Sequence, residues 1–188
     1  QKFYLDFKNR IVTLVNTETQ HLKDSLSQTG DCHLLLLNST ALVDTVLQAA
    51  YKAAVWLYNH MEQKELLVKD IPIAIIARGG YGREEIYFQS DIDVQIVSKS
   101  GLTNDEKEET EQIIKHLEYL FIHQDIFQSV ASSCYNKNDS LEKQLNTGKP
   151  TDLFSLLESR LVAGNSTVYA EFMSKVKTAS LLQKDTLL

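Results

Sequence analysis

The chain has 188 residues, of which 43% are apolar and 23% are charged, proportions that are typical of a folded globular protein and too apolar for a disordered one. Its formal net charge of −6 argues against a protein that grips nucleic acid by the phosphate backbone, because that task needs a basic face. The two cysteines, Cys32 and Cys134, form no CxxC pair, so we expect a reduced, cytoplasmic protein without a disulfide framework. No apolar run approaches the roughly 20 residues that span a bilayer, so no membrane partner is expected.

Residues 1–66 are predicted to form a helical lead-in. Apolar residues in the first two turns and beyond recur at helical spacing, and the polar run Asn16–Thr19 is expected to interrupt that helix. A second, strongly amphipathic stretch predicts a long helix with Ser39 or Thr40 as its N-cap and an end near Gln63.

Residues 67–188 are predicted to form the core of the same compact domain. Residues 71–77 are apolar on both faces and predict a buried strand. The strict alternation of apolar and polar residues over 91–97 predicts a second strand. A glycine-rich run ends the first strand, and residues 83–87 after it predict a short helical turn.

The C-terminal part of the core is predicted to contain three helices and a third strand. Thr-x-x-Glu at 103–106 has the form of a capping box and starts the first of these helices. Residues 125–132 predict the strand. A further helix is expected over 151–163, with Gly164 as its stop, and residues 166–180 predict the last helix.

Two aspartates and two glycines mark the candidate site. Asp91 and Asp93 are two residues apart in a predicted strand, so both carboxylates point to the same face. They repel each other unless a cation lies between them, and Mg²⁺ held by one or two carboxylates plus substrate phosphates is the usual solution. Gly79 and Gly80 end the preceding strand, where missing side chains let a phosphate approach the backbone. A glycine turn between two strands, with charges at its rim, explains these residues equally well.

Longer motifs carry a family resemblance. Residues 79–85, Gly-Gly-Tyr-Gly-Arg-Glu-Glu, followed by Ser-Asp-Ile-Asp at 90–93, resemble the GG-x-G-R-x-E … S-D-x-D signature of the polymerase-β-like nucleotidyltransferase superfamily. Residues 156–164, Leu-Leu-Glu-Ser-Arg-Leu-Val-Ala-Gly, are similar to the L-L-E-x-R-x-x-x-G helix of its PII-uridylyltransferase-like (DUF294-type) branch. The helix with Ala-Leu-Val-Asp at 41–44 resembles the lead-in helix of that family.

The resemblance implies an α+β fold, with a mixed β-sheet flanked by helices, and an enzyme. This enzyme would be a magnesium-dependent nucleotidyltransferase that moves a nucleoside monophosphate from a nucleoside triphosphate to a protein or small-molecule hydroxyl. Asp91 and Asp93 would bind magnesium, and one of them would help to orient the attacking hydroxyl. The residues implied to contact the nucleotide are Gly79, Gly80, Ser90 and Arg160. Arg83, in contrast, is expected to be a salt-bridge partner.

The sequence also departs from the family pattern. The superfamily commonly has a third carboxylate on a later strand, and residues 126–132 contain no acid. Asp125 and Glu158 are the alternatives for that role. The second hypothesis is therefore a nucleotide-sensing module with weak or no turnover inside a larger regulatory protein. Because the chain starts with Gln1 rather than Met, we expect it to be a piece of a longer protein with adjoining regulatory domains.

Overall fold

The computed structural model describes residues 2–88, 90–121, 127 and 150–184. Within these ranges the chain forms helices and a three-stranded sheet, which confirms the α+β class and the helical N-terminal region. In chain order the elements are α1 (Lys2–Thr29), α2 (Cys32–Glu62), β1 (Ile73–Ala77), α3 (Gly79–Gly82), β2 (Val94–Ser98), α4 (Asn104–Phe121), α5 (Pro150–Leu157), β3 (Arg160–Gly164) and α6 (Ser166–Lys184). Except for Phe127, the strand predicted over 125–132 lies outside the described residues.

Helix α1 is continuous, so the predicted break at Asn16–Thr19 is wrong. These polar residues are all exposed or half-exposed, so water hydrates their side chains while the backbone hydrogen bonds of the helix stay intact. Ile11 and Val15 are buried one turn apart and pack into the core together with α2.

Helix α2 begins well before the predicted position. Its N-cap is Asp31, whose carboxylate accepts a hydrogen bond from the backbone N–H three residues later, at 2.9 Å. Ser39 and Thr40, the predicted caps, are buried inside the helix, and that prediction is wrong. Gly30, with φ at +67°, separates the two helices, and Asp31 directly after it supplies the capping oxygen. The predicted end near Gln63 is confirmed, since that residue is the left-handed C-cap.

Among the described residues, α2 is the one helix whose length and composition would allow it to cross a membrane. Its most apolar stretch is 44% buried inside the protein, because the helix packs against α1, α4 and β3. Core helices of globular proteins satisfy the same criterion of length and composition. Its fully buried side chains include Val46, Leu47, Ala50, Tyr51 and Ala54.

The sheet has the strand order β2–β1–β3, and both neighbouring pairs are antiparallel. Its central strand β1 is buried along its whole length, because helices cover both faces. Ile73 and Ile75 pack into the core that α1, α2 and α4 form on one face, whereas Ala74 and Ile76 contact α5 and α6 on the other. This two-sided burial confirms the buried strand that the apolar run predicted.

The helix predicted over 151–163 is wrong in its second half. It ends as α5, and β3 follows as a strand that pairs Arg160 with Ala77 and Gly164 with Ala74 of β1. This pairing satisfies the backbone N–H and C=O groups at that edge of β1, which a helix in the same place would leave without partners. Gly164 therefore ends a strand, not a helix.

The predicted capping box at the start of α4 is confirmed. The Thr103 N–H donates to the Glu106 carboxylate at 2.8 Å, and the Glu106 N–H donates to the Thr103 hydroxyl at 3.2 Å. The backbone hydrogen bond from Thr103 is the largest cause of the lowered pKa of Glu106. The final predicted helix is confirmed as α6.

Candidate functional site

Helix α3 is a single turn that starts directly after β1. The helical turn predicted over 83–87 is wrong, because the turn lies on the glycines themselves. It is closed by the Arg83 N–H, which donates to the Gly79 carbonyl at 3.0 Å. Glu84 then adopts a left-handed φ of 63°, so the helix cannot continue.

The glycines of α3 have different surroundings. Gly79 has a φ of +53°, which favours glycine, and a β-carbon placed on it would lie 3.4 Å from Oδ2 of Asp93. A β-carbon on Gly80 would meet only the far end of one flexible side chain, 4.0 Å away. Gly82 presses against the backbone carbonyl of Glu158, so any side chain there would collide. Gly79 and Gly80 thus form the open part of the turn, next to a carboxylate, and Gly82 forms the packed part.

The two candidate metal ligands lie just before β2. The strand was predicted to start at Asp91, which is wrong, because β1 leaves the sheet at α3 and offers no continuous partner to these residues. The predicted alternation still extends to them: Ile92 is buried, Asp91 is exposed and Asp93 is half-buried. The Arg78 N–H donates to the Asp93 carbonyl at 3.0 Å and so fixes the backbone of Asp93 at the end of β1.

Asp91 and Asp93 suit a magnesium ion that has further ligands from a bound phosphate compound. Among the described residues, no group of three or more His, Cys, Asp or Glu side chains is arranged to hold a metal ion. Asp91 and Asp93 offer carboxylate oxygens only, which are hard ligands of the kind that Mg²⁺ prefers. Two carboxylates suffice for this ion where substrate phosphates and water complete its shell. The residues therefore fit an ion that binds together with a phosphate compound.

Ser90 holds the loop that carries Asp91. Its hydroxyl oxygen accepts the Tyr87 N–H at 2.8 Å, and its own N–H donates to the Tyr87 carbonyl at 2.9 Å. Ser90 and Ile92 also line a cavity of about 230 Å³ that this loop forms with α1 and α2. These two hydrogen bonds of Ser90 thus stabilise the shape of the loop.

Arg160 makes a two-point ion pair near the glycine turn. Its two terminal nitrogens bind the carboxylate of Asp44 in α2, at 2.7 and 2.8 Å. The hydroxyl of Tyr81 donates to the same carboxylate at 2.7 Å, and the Arg160 guanidinium lies 5.2 Å from the centre of the Tyr81 ring. The Nε of Arg160 lies 3.6 Å from Glu84. We call Asp44, Tyr81 and Arg160 the anchor cluster.

The pKa shifts of the anchor cluster follow from burial and pairing. Burial, and then the negative charge of Asp44, raise the pKa of Tyr81, so the phenol stays neutral. Burial alone would lower the pKa of Arg160, but the hydrogen bond and charge of Asp44 outweigh it, and the net pKa is raised. Sequence reasoning missed this use of Asp44. The available signal was an acidic side chain directly beside the apolar stripe of α2.

Arg83 is an ion-pair partner, as predicted. Its Nε binds Glu85 at 2.7 Å and its Nη1 binds Glu158 at 2.5 Å. Glu158, one of the two alternatives for a third carboxylate, is therefore occupied by an arginine. The other alternative, Asp125, lies outside the described residues.

Comparison with known proteins supports a distant relationship. No family model matches the chain. Three similar proteins, each named a bifunctional uridylyltransferase/uridylyl-removing enzyme, come from Pseudomonas savastanoi pv. phaseolicola (29% identity over 76% of the chain), Pseudomonas syringae pv. syringae (30% over 71%) and Pseudomonas putida (28% over 80%). The chain is related to nucleotidyltransferases. These similarities do not single out the DUF294-type branch.

The relationship covers only part of each relative. The matched segment spans 14% of the P. savastanoi protein, 13% of the P. syringae protein and 15% of the P. putida protein. The chain thus corresponds to a small section of much longer nucleotidyltransferase-related proteins, and the activities of the complete relatives are not transferred with the similarity.

Proposed function

We propose that this chain is a magnesium-dependent nucleotidyltransferase domain that transfers a nucleoside monophosphate from a nucleoside triphosphate to a hydroxyl of a protein or small molecule. The observation that carries the proposal is the approach of Gly79 to Asp93, whose Oδ2 lies 3.4 Å from where a Gly79 β-carbon would stand. A phosphate touching the backbone at this turn lies next to a carboxylate that can share its metal ion.

In this proposal each residue of the turn and loop has a defined task. Gly79 and Gly80 contact the triphosphate through their backbone, where no side chain obstructs it. Asp91 and Asp93 hold magnesium, and Ser90 shapes the loop and contacts phosphate. Arg160 was predicted to contact the nucleotide directly. That role stays a prediction. Both terminal nitrogens of Arg160 bind Asp44 in the described structure.

The proposed reaction is a single displacement at the α-phosphorus. The oxygen of the acceptor hydroxyl forms a bond to the α-phosphorus, the bond from that phosphorus to the bridging oxygen breaks, and pyrophosphate leaves. Asp91, the more exposed of the two carboxylates, orients the hydroxyl and takes up its proton. Magnesium, when bound, would neutralise the negative charge on the phosphate oxygens.

The relatives suggest which nucleotide to test first. They are named uridylyltransferases, so we propose UTP as the donor and a protein hydroxyl as the first acceptor to examine. We also propose that the domain works in the cytoplasm, with regulatory domains adjoining it in a longer chain.

Calorimetric titration with UTP tests the proposal. The wild-type protein should bind UTP at least tenfold more tightly with magnesium than with EDTA, since two carboxylates repel a triphosphate unless a cation lies between them. The Asp91→Asn/Asp93→Asn variant should lose this magnesium dependence. Asp105→Asn, on the exposed first turn of α4, is the matched control. Equal affinity of the wild type in magnesium and EDTA would contradict the proposal.

Turnover separates the proposal from its alternative. Residues 126–132 contain no acid at the place of a third carboxylate in the superfamily, which favours a nucleotide-sensing module as the second candidate. Release of pyrophosphate from UTP in the presence of an acceptor supports the enzyme. Magnesium-dependent binding with no release, across a panel of protein and small-molecule acceptors, supports the sensor.

A further inference from the structure

We propose that Asp44 and Arg160 are positioning residues: they fix the orientation of the glycine turn α3 through Tyr81, and they do not bind the nucleotide themselves. This inference deepens the proposed function and rests on it only for the consequence that nucleotide affinity depends on the anchor cluster. It makes the lead-in helix α2 a functional part of the site.

The first argument is that α3 carries a single side chain by which the rest of the protein can hold it. Its sequence is Gly-Gly-Tyr-Gly, so Tyr81 is its single residue with a side chain. Tyr81 is 0% exposed, and its hydroxyl donates to Asp44 at 2.7 Å. A one-turn helix of glycines has little conformational preference of its own. The orientation of the turn therefore depends on what holds the Tyr81 side chain, together with the packing of Gly82 against the Glu158 carbonyl.

The second argument is the rigidity of the carboxylate that receives Tyr81. Asp44 accepts two parallel N–H groups from Arg160, at 2.7 and 2.8 Å, and this two-point geometry fixes the plane of both groups. The three residues come from α2, α3 and β3, so the anchor cluster ties the turn to a helix and to the sheet at once. A carboxylate fixed in this way presents one defined acceptor position to Tyr81.

The third argument concerns charge. The guanidinium of Arg160 faces the carboxylate of Asp44, has Glu84 at 3.6 Å and covers the ring of Tyr81. Its side chain is 23% exposed. An arginine whose charge is already matched by a half-buried carboxylate gains little by turning to a phosphate, because turning would leave Asp44 uncompensated. The surroundings thus favour a fixed Arg160.

Hydrogen exchange measures how firmly the turn is held. The N–H groups of Gly82, Arg83 and Glu85 donate to backbone carbonyls in and next to α3, so their exchange reports whether the turn is held. Tyr81→Phe keeps the ring and removes one hydrogen bond to a charged group, which should speed exchange at these amides by about tenfold. Amides in the middle of α4 should be unchanged, whereas a general loss of stability would speed exchange there too.

Affinity for magnesium–UTP is the second measurement. Tyr81→Phe and Arg160→Lys should each weaken binding by about five- to tenfold at a temperature where both variants are folded, because Lys cannot reproduce the two-point contact. Arg83→Lys is the matched control: it lies beside the same turn, and its exchange and affinity should stay within about twofold of wild type.

Two results would overturn the inference. One is that Arg160→Lys weakens magnesium–UTP binding while exchange at the three amides of the turn is unchanged, as expected for a direct nucleotide ligand. The other is unchanged exchange in Tyr81→Phe. If the wild type binds no nucleotide at all, the proposed function fails, and the exchange measurement still decides whether the anchor cluster holds the turn.

Discussion

Two arginines flank the glycine turn, and their surroundings differ. Arg160 is mostly buried and binds one carboxylate at two points, whereas Arg83 is 42% exposed and binds two carboxylates at one point each. Water screens the exposed pairs and competes for them, so they contribute little to folding. The Arg160–Asp44 pair, with side chains 23% and 21% exposed, has lost much of that water, and removing one partner leaves the other charge less well solvated. Burial, not residue type, thus separates an anchor from a surface contact.

The largest expected effect comes from removing the buried arginine. Arg160→Ala leaves Asp44 half-buried without its cation, and we expect the free energy of unfolding to fall by roughly 2–3 kcal/mol, less than for a fully buried pair. Urea unfolding followed by circular dichroism measures this loss. If the loss equals that of Arg83→Ala, the distinction between the two arginines fails.

The second effect concerns the glycine turn between them. In Gly82→Ala, the new methyl group would collide with the Glu158 carbonyl, and we expect a loss of about 1–3 kcal/mol. Gly80→Ala is the matched control, since its site is open, and it should lose less than about 1 kcal/mol. Urea unfolding of the two variants measures both losses. Equal losses of unfolding free energy would contradict the conclusion that Gly82 is packed and Gly80 is open.

Gly80 is expected to affect ligand binding rather than the stability of the fold. Gly80→Val should abolish UTP binding in calorimetry, because the added carbons occupy the open part of the turn, while its unfolding temperature changes only modestly. A variant that fails to fold would mean that Gly80 is needed for packing.

A third effect is a loss of stability in alkali. The pKa of Tyr81 is raised in the folded protein by burial, so its contribution is complete below the ordinary tyrosine pKa of about 10 and is lost as pH rises above that value. The unfolding free energy of the wild type should therefore fall more steeply between pH 9 and 11.5 than that of Tyr81→Phe. Tyr87→Phe, which removes an exposed tyrosine, should keep the slope of the wild type. If the unfolding free energies of all three proteins fall equally steeply with pH, the burial of the Tyr81 phenol is contradicted.

The smallest effect is expected at the exposed arginine. Arg83→Ala removes two exposed ion pairs, and we expect it to change the unfolding free energy by less than about 1 kcal/mol. Raising the salt concentration to 1 M should remove most of even this difference, because salt screens exposed charges. A larger effect that survives 1 M salt would show that Arg83 is also an anchor.

How well the sequence predicted each element depends on how far apart in the chain the interacting residues lie. The buried strand β1 and the capping box of α4 were predicted correctly, because a two-sided apolar run and a Thr-x-x-Glu motif act within a few residues. β3 was predicted as helix, because its strand conformation comes from pairing with β1, more than 80 positions earlier in the chain. Local propensity contains no information about that pairing.

The candidate site divides in the same way. Gly79 and Asp93 belong to one short strand–turn–strand unit, so the sequence was sufficient to name them as candidates, and the folded chain brings Oδ2 of Asp93 to 3.4 Å from a β-carbon on Gly79. The partner of Arg160 was not predictable in this manner, because Asp44 is 116 residues away and only the folded chain brings them together. The start of α2 was missed for a different reason: the local signal, Gly30 followed by Asp31, was present and was outweighed by the polar Ser39 and Thr40.

The position of Asp44 also limits how this domain can be cut and moved between proteins. A boundary at residue 67 would separate the lead-in helices from the remaining chain, and the sequence by itself makes that boundary attractive. Yet the carboxylate that fixes Tyr81 and Arg160 lies on the far side of it. A piece without α2 would lack the carboxylate that binds Tyr81 and Arg160, and it would lose part of the cover over one face of the sheet. The smallest transferable unit therefore includes the second lead-in helix together with the sheet, and fusions or truncations that respect this unit should keep the turn in place.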